Sequence, residues 1–213
     1  MIDVTEQISS VRRQVGTRTL EAGDGRTVTI SQAYNTDVDD LWEACTAADR
    51  IPRWFLPVTG ELRVGGQYQL EGNAGGTVER CDPPKSFAAT WEFAGQVSWI
   101  EVRITAEDNG RTRFELEHTM HVDDHWDQFG PGAVGVGYDM MLIGLTLHLT
   151  SSGATVDPAE AMAWFGGPEG TRFVRESNEA WYQAHVASGA PEDGVRAQAD
   201  RNLAAYTAPP GTA

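Results

Sequence analysis

The chain has few cysteines and no leader-like N-terminus. Only two cysteines, Cys45 and Cys81, occur among its 213 residues. They fall in different predicted elements and form no C-x-x-C pair, so we predict two free thiols, no disulfide framework and no cysteine metal site. The first residues, MIDVTEQISSVRR, lack the basic head and apolar run of a signal peptide. These features together predict a protein of the reducing cytoplasm.

Basic residues are also scarce. The chain has 16 lysines and arginines against 31 acidic residues, which gives a formal net charge of -15. An acidic surface repels phosphate backbones and anionic lipids, so we expect no nucleic-acid partner and no membrane partner. The longest apolar stretch, residues 134–149, contains Asp139 and three glycines. It is too short and too interrupted to predict a membrane span.

Familiar catalytic and cofactor motifs are absent. The sequence has no glycine-rich phosphate loop after a strand, no G-x-S-x-G, no H-E-x-x-H and no cysteine–histidine spacing typical of zinc. His121, Asp123 and His125 share one side at a period of two, but their spacing matches no established metal-ligand pattern. We interpret that stretch as a solvated connection, and we predict neither a metal nor a cofactor.

What the sequence does contain is a clear succession of hydrophobic periods. A helical period near the N-terminus gives way to alternation around Asp24 and Gly25, which are typical of a β-hairpin. A second helix follows and stops at Pro52. The predicted elements are a helix at 2–15, strands at 17–20 and 27–34, and a helix capped within 35–37 that runs to Ala47.

After this helix the period becomes two, which predicts strands. Tight turns separate six such segments, so the pattern favours an antiparallel meander. In the fourth segment Phe87, Ala89, Trp91 and Phe93 share the face that we expect to point inward. The six predicted strands are 61–64, 67–71, 76–81, 86–93, 98–105 and 112–122.

A long helix is predicted at about 134–150, and it is apolar nearly all round. Its glycines disfavour a helix, so we expect it to approach another backbone closely. A helix lying on a sheet needs only one apolar stripe, so its opposite side needs a cover. We predict a core domain at 1–150 and a helical extension at 151–213 packed on the same core. The competing explanation is a homodimer interface. The extension's predicted helices are 158–165, 168–188 and 191–206.

Several short motifs resemble those of one family. They are VDDLW at 38–42, RW at 53–54, LRVGG at 62–66, GTV at 76–78, DPP at 82–84 and GRTRF at 110–114. In this order they resemble the START and birch-pollen-allergen superfamily (SRPBCC). The nearest subgroup is that of the C-terminal domain of the activator of the ninety-kilodalton heat-shock protein ATPase. The resemblance covers about residues 27–150. It implies an α+β helix-grip fold, in which a curved antiparallel sheet wraps around the long helix and encloses a cavity.

Bulky apolar residues on the predicted inner surfaces are the candidates for lining such a cavity. Ordinary core packing is the alternative for each of them. Trp54 and Phe55 follow the helix-ending proline and are interpreted either as the mouth of the cavity or as a plug at the sheet edge. The predicted ligand-binding residues are Trp54, Phe55, Tyr68, Trp91, Phe93, Phe114, His118, Met120, Met140 and Met141.

His118 is the one weak catalytic candidate. Strand alternation puts its imidazole on the same face as Phe114 and Met120, where it would serve as a polar anchor or a general base. A structural histidine bonded to a neighbour is the alternative. The sequence therefore favours binding of a small hydrophobic or amphipathic molecule without catalysis. A cyclase- or hydrolase-like enzyme and a chaperone-accessory or protein-interaction module are the other hypotheses.

Overall fold

A computed structural model of the protein describes residues 2–21 and 23–208. Within these residues there are eight strands and seven α-helices, with a short 3-10 helix at Ile51–Arg53. The strands are β1 (Val11–Leu20), β2 (Gly23–Tyr34), β3 (Val58–Gly60), β4 (Gln67–Leu70), β5 (Gly75–Asp82), β6 (Ser86–Phe93), β7 (Gln96–Ala106) and β8 (Thr112–His121). The helices are α1 (Val4–Ser10), α2 (Val38–Thr46), α3 (Asp124–Phe129), α4 (Gly132–Thr150), α5 (Pro158–Phe165), α6 (Pro168–Ala187) and α7 (Glu192–Thr207).

The strands form one antiparallel sheet with the order β1-β2-β8-β7-β6-β5-β4-β3. The meander from β3 to β8 runs in chain order, and β8 then pairs with β2, so that the N-terminal hairpin extends the far edge. α2 and the 3-10 helix make the crossing from β2 to β3. The predicted α+β helix-grip fold is confirmed, with α4 held against the curved sheet.

Alternation of side chains decides which face of each strand is buried. Along β8, Phe114, Leu116 and His118 are buried, while the residue that immediately precedes each of them is only partly covered. In β7, Ile100 and Val102 pair directly with His118 and Leu116 of β8. A period of two therefore builds a continuous apolar surface across neighbouring strands.

α4 lies at the centre of the molecule. Its length and its mean hydropathy of 1.3 would allow it to cross a membrane on composition alone, but 56% of it is buried inside the protein, as in a core helix. Leu142 and Leu145 join the main apolar core, which also includes Trp181 of α6. A Cβ at Gly144 would lie 2.1 Å from the carbonyl oxygen of Trp54, so the predicted close approach to another backbone is confirmed there.

The helices after α4 cover its outer side. α6 packs against α4, β1 and α1, and α7 packs against α6 and α3. Asp157 begins α5 by accepting a hydrogen bond from the backbone N–H of Ala159, and Pro158 occupies the first turn. The helices predicted at 158–165, 168–188 and 191–206 are thus confirmed to within two residues.

One buried ion pair links this cover to the core. Arg13 of β1 makes two hydrogen bonds to Asp139 of α4, at 2.7 and 2.9 Å. Ser177 and Trp181 of α6 donate to the same carboxylate at 2.6 and 2.9 Å. The side chains of Arg13 and Asp139 are only 6% and 1% exposed. Asp139 therefore connects β1, α4 and α6 at a single buried point.

Several predicted boundaries are wrong. The helix expected at 2–15 ends at Ser10, because residues from Val11 onward pair with β2 over ten positions and satisfy their backbone groups in the sheet. Asp24 and Gly25 lie inside β2 and pair with Thr19 and Arg18, so the turn comes earlier than predicted.

The strand expected at 61–64 is a wrong prediction as well. Val58–Gly60 forms the edge strand, and the backbone N–H of Glu61 already bonds the carbonyl of Gln67 at 2.8 Å. The six residues between β3 and β4 therefore make one wide turn. Beyond β8, the connection interpreted as a solvated loop contains α3, whose first turn is capped by Asp123.

Candidate functional site

An apolar cavity of about 150 Å³ lies between the concave face of the sheet and the helices α2 and α4. Strands β4 to β8 form its floor, and the 3-10 helix with the following segment closes one side. Side chains such as Val102, Leu116 and Ala89 provide a surface that is almost entirely apolar. The inward positions of the strand alternation therefore leave a space inside the core instead of filling it.

Six of the predicted ligand-binding residues line this cavity. They are Trp54, Phe55, Tyr68, Trp91, Phe114 and Met141. Trp54 is fixed, since its indole N–H donates to the carbonyl of Ala44 at 2.9 Å, and its ring stacks on Phe55 at 5.7 Å. Leu62, 37% exposed, is part of the same lining. Trp54 thus forms a wall of the cavity.

Four predicted residues do not line it. Phe93 is 55% exposed at the end of β6, because the strand turns there into the hairpin at Ala94 and Gly95. Met120 packs on the main core at the far end of β8, beyond the limit of the cavity. Met140 faces the small cluster around Phe173, since consecutive residues on a helix point about 100° apart.

His118 is buried behind the cavity instead of projecting into it. The imidazole is 3% exposed. Its Nε2 lies 2.7 Å from Ser98 Oγ, and its Nδ1 lies 2.8 Å from the hydroxyl of Tyr138, which does line the cavity. Burial lowers the pKa of His118 from 6.5 to about 4, so the ring is neutral at pH 7. The hydrogen bond to Tyr138 thus links His118 to the cavity.

Tyr138 is the hydrogen-bonding aromatic residue of the site that the sequence did not lead us to predict. It lies three residues before Met141, and residues at this spacing share one face of a helix, which is the signal that predicts it. Burial raises the pKa of the Tyr138 phenol, and the nearby Tyr68 phenol raises it further. The pKa of Tyr68 is also raised by burial, and its hydroxyl donates to the carbonyl of Thr90 at 2.7 Å. Both phenols therefore stay protonated at neutral pH.

The two cysteines also line the cavity. Burial raises the pKa of the Cys45 thiol to about 12, so it is not a thiolate nucleophile at neutral pH. Cys81 is exposed and free. Across residues 2–21 and 23–208, no group of three or more histidine, cysteine or acidic side chains is arranged to hold a metal ion.

The acidic and histidine cluster after β8 has local structural contacts. Asp123 accepts from the backbone N–H of Trp126 at 2.8 Å and caps α3. His121 packs edge-on against Trp99, and His125 packs near Phe129. These side chains do not converge on a shared point.

The family and structural comparisons agree with this geometry. The family model described as "Activator of Hsp90 ATPase homolog 1-like protein" matches residues 35–150. Among curated proteins, none is detectably similar to the chain.

Solved structures extend the similarity. The crystal structure of CalU16 from Micromonospora echinospora is 34% identical, covers 82% of this chain and 97% of its own, and has a TM-score of 0.63. The solution structure of CalU16 is 32% identical, with coverages of 84% and 96% and a TM-score of 0.68. Protein MLL2253 from Mesorhizobium loti, 20% identical over 59% of this chain and 98% of its own, shares the fold with a TM-score of 0.54. The chain belongs to the family of activator of Hsp90 ATPase homolog 1-like proteins.

Proposed function

We propose that the protein binds a small hydrophobic or amphipathic molecule in the cavity between the sheet and α4. The observation that carries this proposal is the cavity of about 150 Å³ lined by apolar and aromatic side chains inside an otherwise packed core. Protein interiors are normally close-packed, and an unfilled apolar space costs stability. A ligand that removes its own apolar surface from water would recover that cost.

The chemistry of the lining supports binding over turnover. His118, the predicted acid or base, is neutral, buried and bonded at both ring nitrogens. The thiol of Cys45 is protonated at neutral pH because its pKa is raised. A general base needs direct reach to the proton that it abstracts. An acid–base role for His118 would have to pass through the hydroxyl of Tyr138.

A chaperone-accessory or protein-interaction role is the other hypothesis. It requires no internal cavity, so the unfilled space favours small-molecule binding. The family is described by its relation to an ATPase activator, and an ATPase-stimulation assay with the chaperone tests that role separately.

The binding proposal is tested by fluorescence titration with N-phenyl-1-naphthylamine, a neutral apolar probe. We expect saturable fluorescence enhancement with the native protein. Ala89→Leu adds three carbons to the cavity wall and should weaken binding about tenfold or more.

The matched control is Ala88→Leu. Ala88 is also buried but precedes Ala89 in β6, so its side chain points to the other face of the sheet. It should bind the probe like the native protein. Absence of saturable binding, or equal affinity in Ala89→Leu, would contradict the proposal. Circular dichroism and urea unfolding establish that both variants are folded.

A further inference from the structure

The hydroxyl groups that line the cavity have a defined hydrogen-bond direction. Tyr68 donates to the carbonyl of Thr90 at 2.7 Å, and Thr46 donates to the carbonyl of Trp42 at 2.7 Å. A carbonyl oxygen only accepts, and each hydroxyl has a single proton. Each of these two hydroxyls therefore donates its only proton to a backbone carbonyl.

The proton of Tyr138 is fixed by a chain of hydrogen bonds. Ser98 donates its hydroxyl proton to the carbonyl of Trp91 at 3.0 Å. The contact of 2.7 Å between Ser98 Oγ and His118 Nε2 must then be an N–H of His118 donating to Ser98. A neutral imidazole carries one N–H, so Nδ1 is the acceptor, and the hydroxyl of Tyr138 donates to it at 2.8 Å.

As a result, Tyr138 and Tyr68 retain only the accepting capacity of their oxygens. Within residues 2–21 and 23–208, no side chain or backbone group donates a hydrogen bond to either phenol oxygen. Both phenol rings line the same cavity. The hydroxyl groups of the lining, which are those of Tyr138, Tyr68 and Thr46, are therefore acceptors in an apolar space.

We propose that the cavity selects ligands that present a hydrogen-bond donor, such as a phenolic or alcoholic hydroxyl or an N–H, to Tyr138 and Tyr68. This inference rests on the binding function proposed above and defines the ligand class. A ligand that has only a carbonyl or carboxylate would have to accept a hydrogen bond from the Tyr138 hydroxyl. Tyr138 would then no longer donate to Nδ1 of the buried His118, and that nitrogen would have no partner. A buried acceptor without a partner weakens binding on the order of tenfold.

The test is calorimetric titration with two ligands of similar size, 2-naphthol as the donor and 2-naphthaldehyde as the acceptor-only ligand. We expect the native protein to bind 2-naphthol about tenfold more tightly. Tyr138→Phe keeps the ring and removes the acceptor oxygen. The ratio of the affinities for the two ligands should therefore fall toward the ratio that their hydrophobicity alone would produce. Tyr34→Phe is the matched control, because Tyr34 is a buried tyrosine that bonds Gln32 and does not line the cavity.

His118→Leu provides a second, directional test. It removes the acceptor of the Tyr138 proton, so Tyr138 becomes free to donate, and the preference should shift toward 2-naphthaldehyde. If Tyr138→Phe does not fold, Tyr68→Phe replaces it. Equal or tighter saturable binding of 2-naphthaldehyde by the native protein overturns this inference and leaves the binding function standing. Absence of saturable binding of both ligands overturns the two together.

Discussion

Removal of the Asp139 carboxylate should destabilise the protein strongly and locally. Asp139→Leu deletes the acceptor of four hydrogen bonds, two from Arg13 and one each from Ser177 and Trp181. The guanidinium of Arg13 then stays buried without a counterion. Breaking a buried ion pair by removing one partner costs about 3–5 kcal/mol. Because whole domains are stable by about 5–15 kcal/mol, this is a large share of the free energy of unfolding.

The assay is urea unfolding at pH 7, followed by tryptophan fluorescence and circular dichroism. Arg13→Met should cost a similar amount, since it leaves the carboxylate of Asp139 unpaired. The double variant Arg13→Met/Asp139→Leu should be more stable than the sum of the single losses predicts, because neither charge remains buried alone. The surface pair Arg63–Glu61, with side chains 70% and 62% exposed, is the control, and its removal should change stability by about 0–1 kcal/mol.

The loss of stability in Asp139→Leu should be greatest in α6. Asp139 connects α4 to α6, so hydrogen exchange of α6 amides should accelerate more than that of β7 and β8. Additive single and double losses, or a cost for Asp139→Leu below about 1 kcal/mol, would refute the argument that this buried carboxylate fastens the C-terminal helices to the core.

Three further outcomes are expected. The pKa of His118 falls from 6.5 in the unfolded chain to about 4 in the folded protein, so only the unfolded chain binds this proton between those values. Stability therefore decreases as the pH falls through this window, by about 3 kcal/mol from this group, and the difference between native protein and His118→Gln in urea unfolding measures it. Gly144→Ala should destabilise, because its Cβ would lie 2.1 Å from a backbone oxygen, whereas Gly137→Ala, with 3.4 Å to the nearest atom, should gain up to about 1 kcal/mol by thermal unfolding. A thiol reagent should modify Cys81 in the folded protein and Cys45 only after unfolding.

Each of these has a contradicting result. Parallel pH profiles of the native protein and His118→Gln would mean that His118 is not held neutral by burial. A Gly144→Ala variant as stable as Gly137→Ala would contradict the contact between α4 and the 3-10 segment. Two thiols reacting at equal rates in the folded protein would contradict the burial of Cys45.

Local patterns in the sequence predicted most of the fold because each strand and helix carries its own period. Boundaries failed where a partner strand decided the outcome. Residues 11–15 fit a helical stripe, yet pairing with β2 makes them a strand. Asp24 and Gly25 have the composition of a turn, yet they lie within a paired strand. Tertiary pairing overrides local propensity at such positions.

The candidate site was only partly predictable for a related reason. Alternation correctly placed Trp91 and Phe114 on the inner face, but it assigned Phe93 and Met120 to the same surface. The period of a strand predicts which face of the sheet a residue lies on. It does not predict where along the strand the cavity ends. Tyr138 of α4 lines the cavity and is hydrogen-bonded to His118, which does not line it.

The sequence by itself determined the order of strands and helices, the apolar inner face and the need for a cover over α4, because periodicity and composition act locally along the chain. The helix-grip arrangement followed from the resemblance of its motifs to a known family. The tertiary structure alone decided which inward-facing residues line the cavity. It also decided which group donates and which accepts in the hydrogen bonds from Tyr138 through His118 to Ser98. The proton direction depends on three separate elements, β7, β8 and α4, whose side chains meet at distances of 2.7 and 2.8 Å. No local pattern encodes a distance between elements, and a hydrogen bond forms only at such a distance.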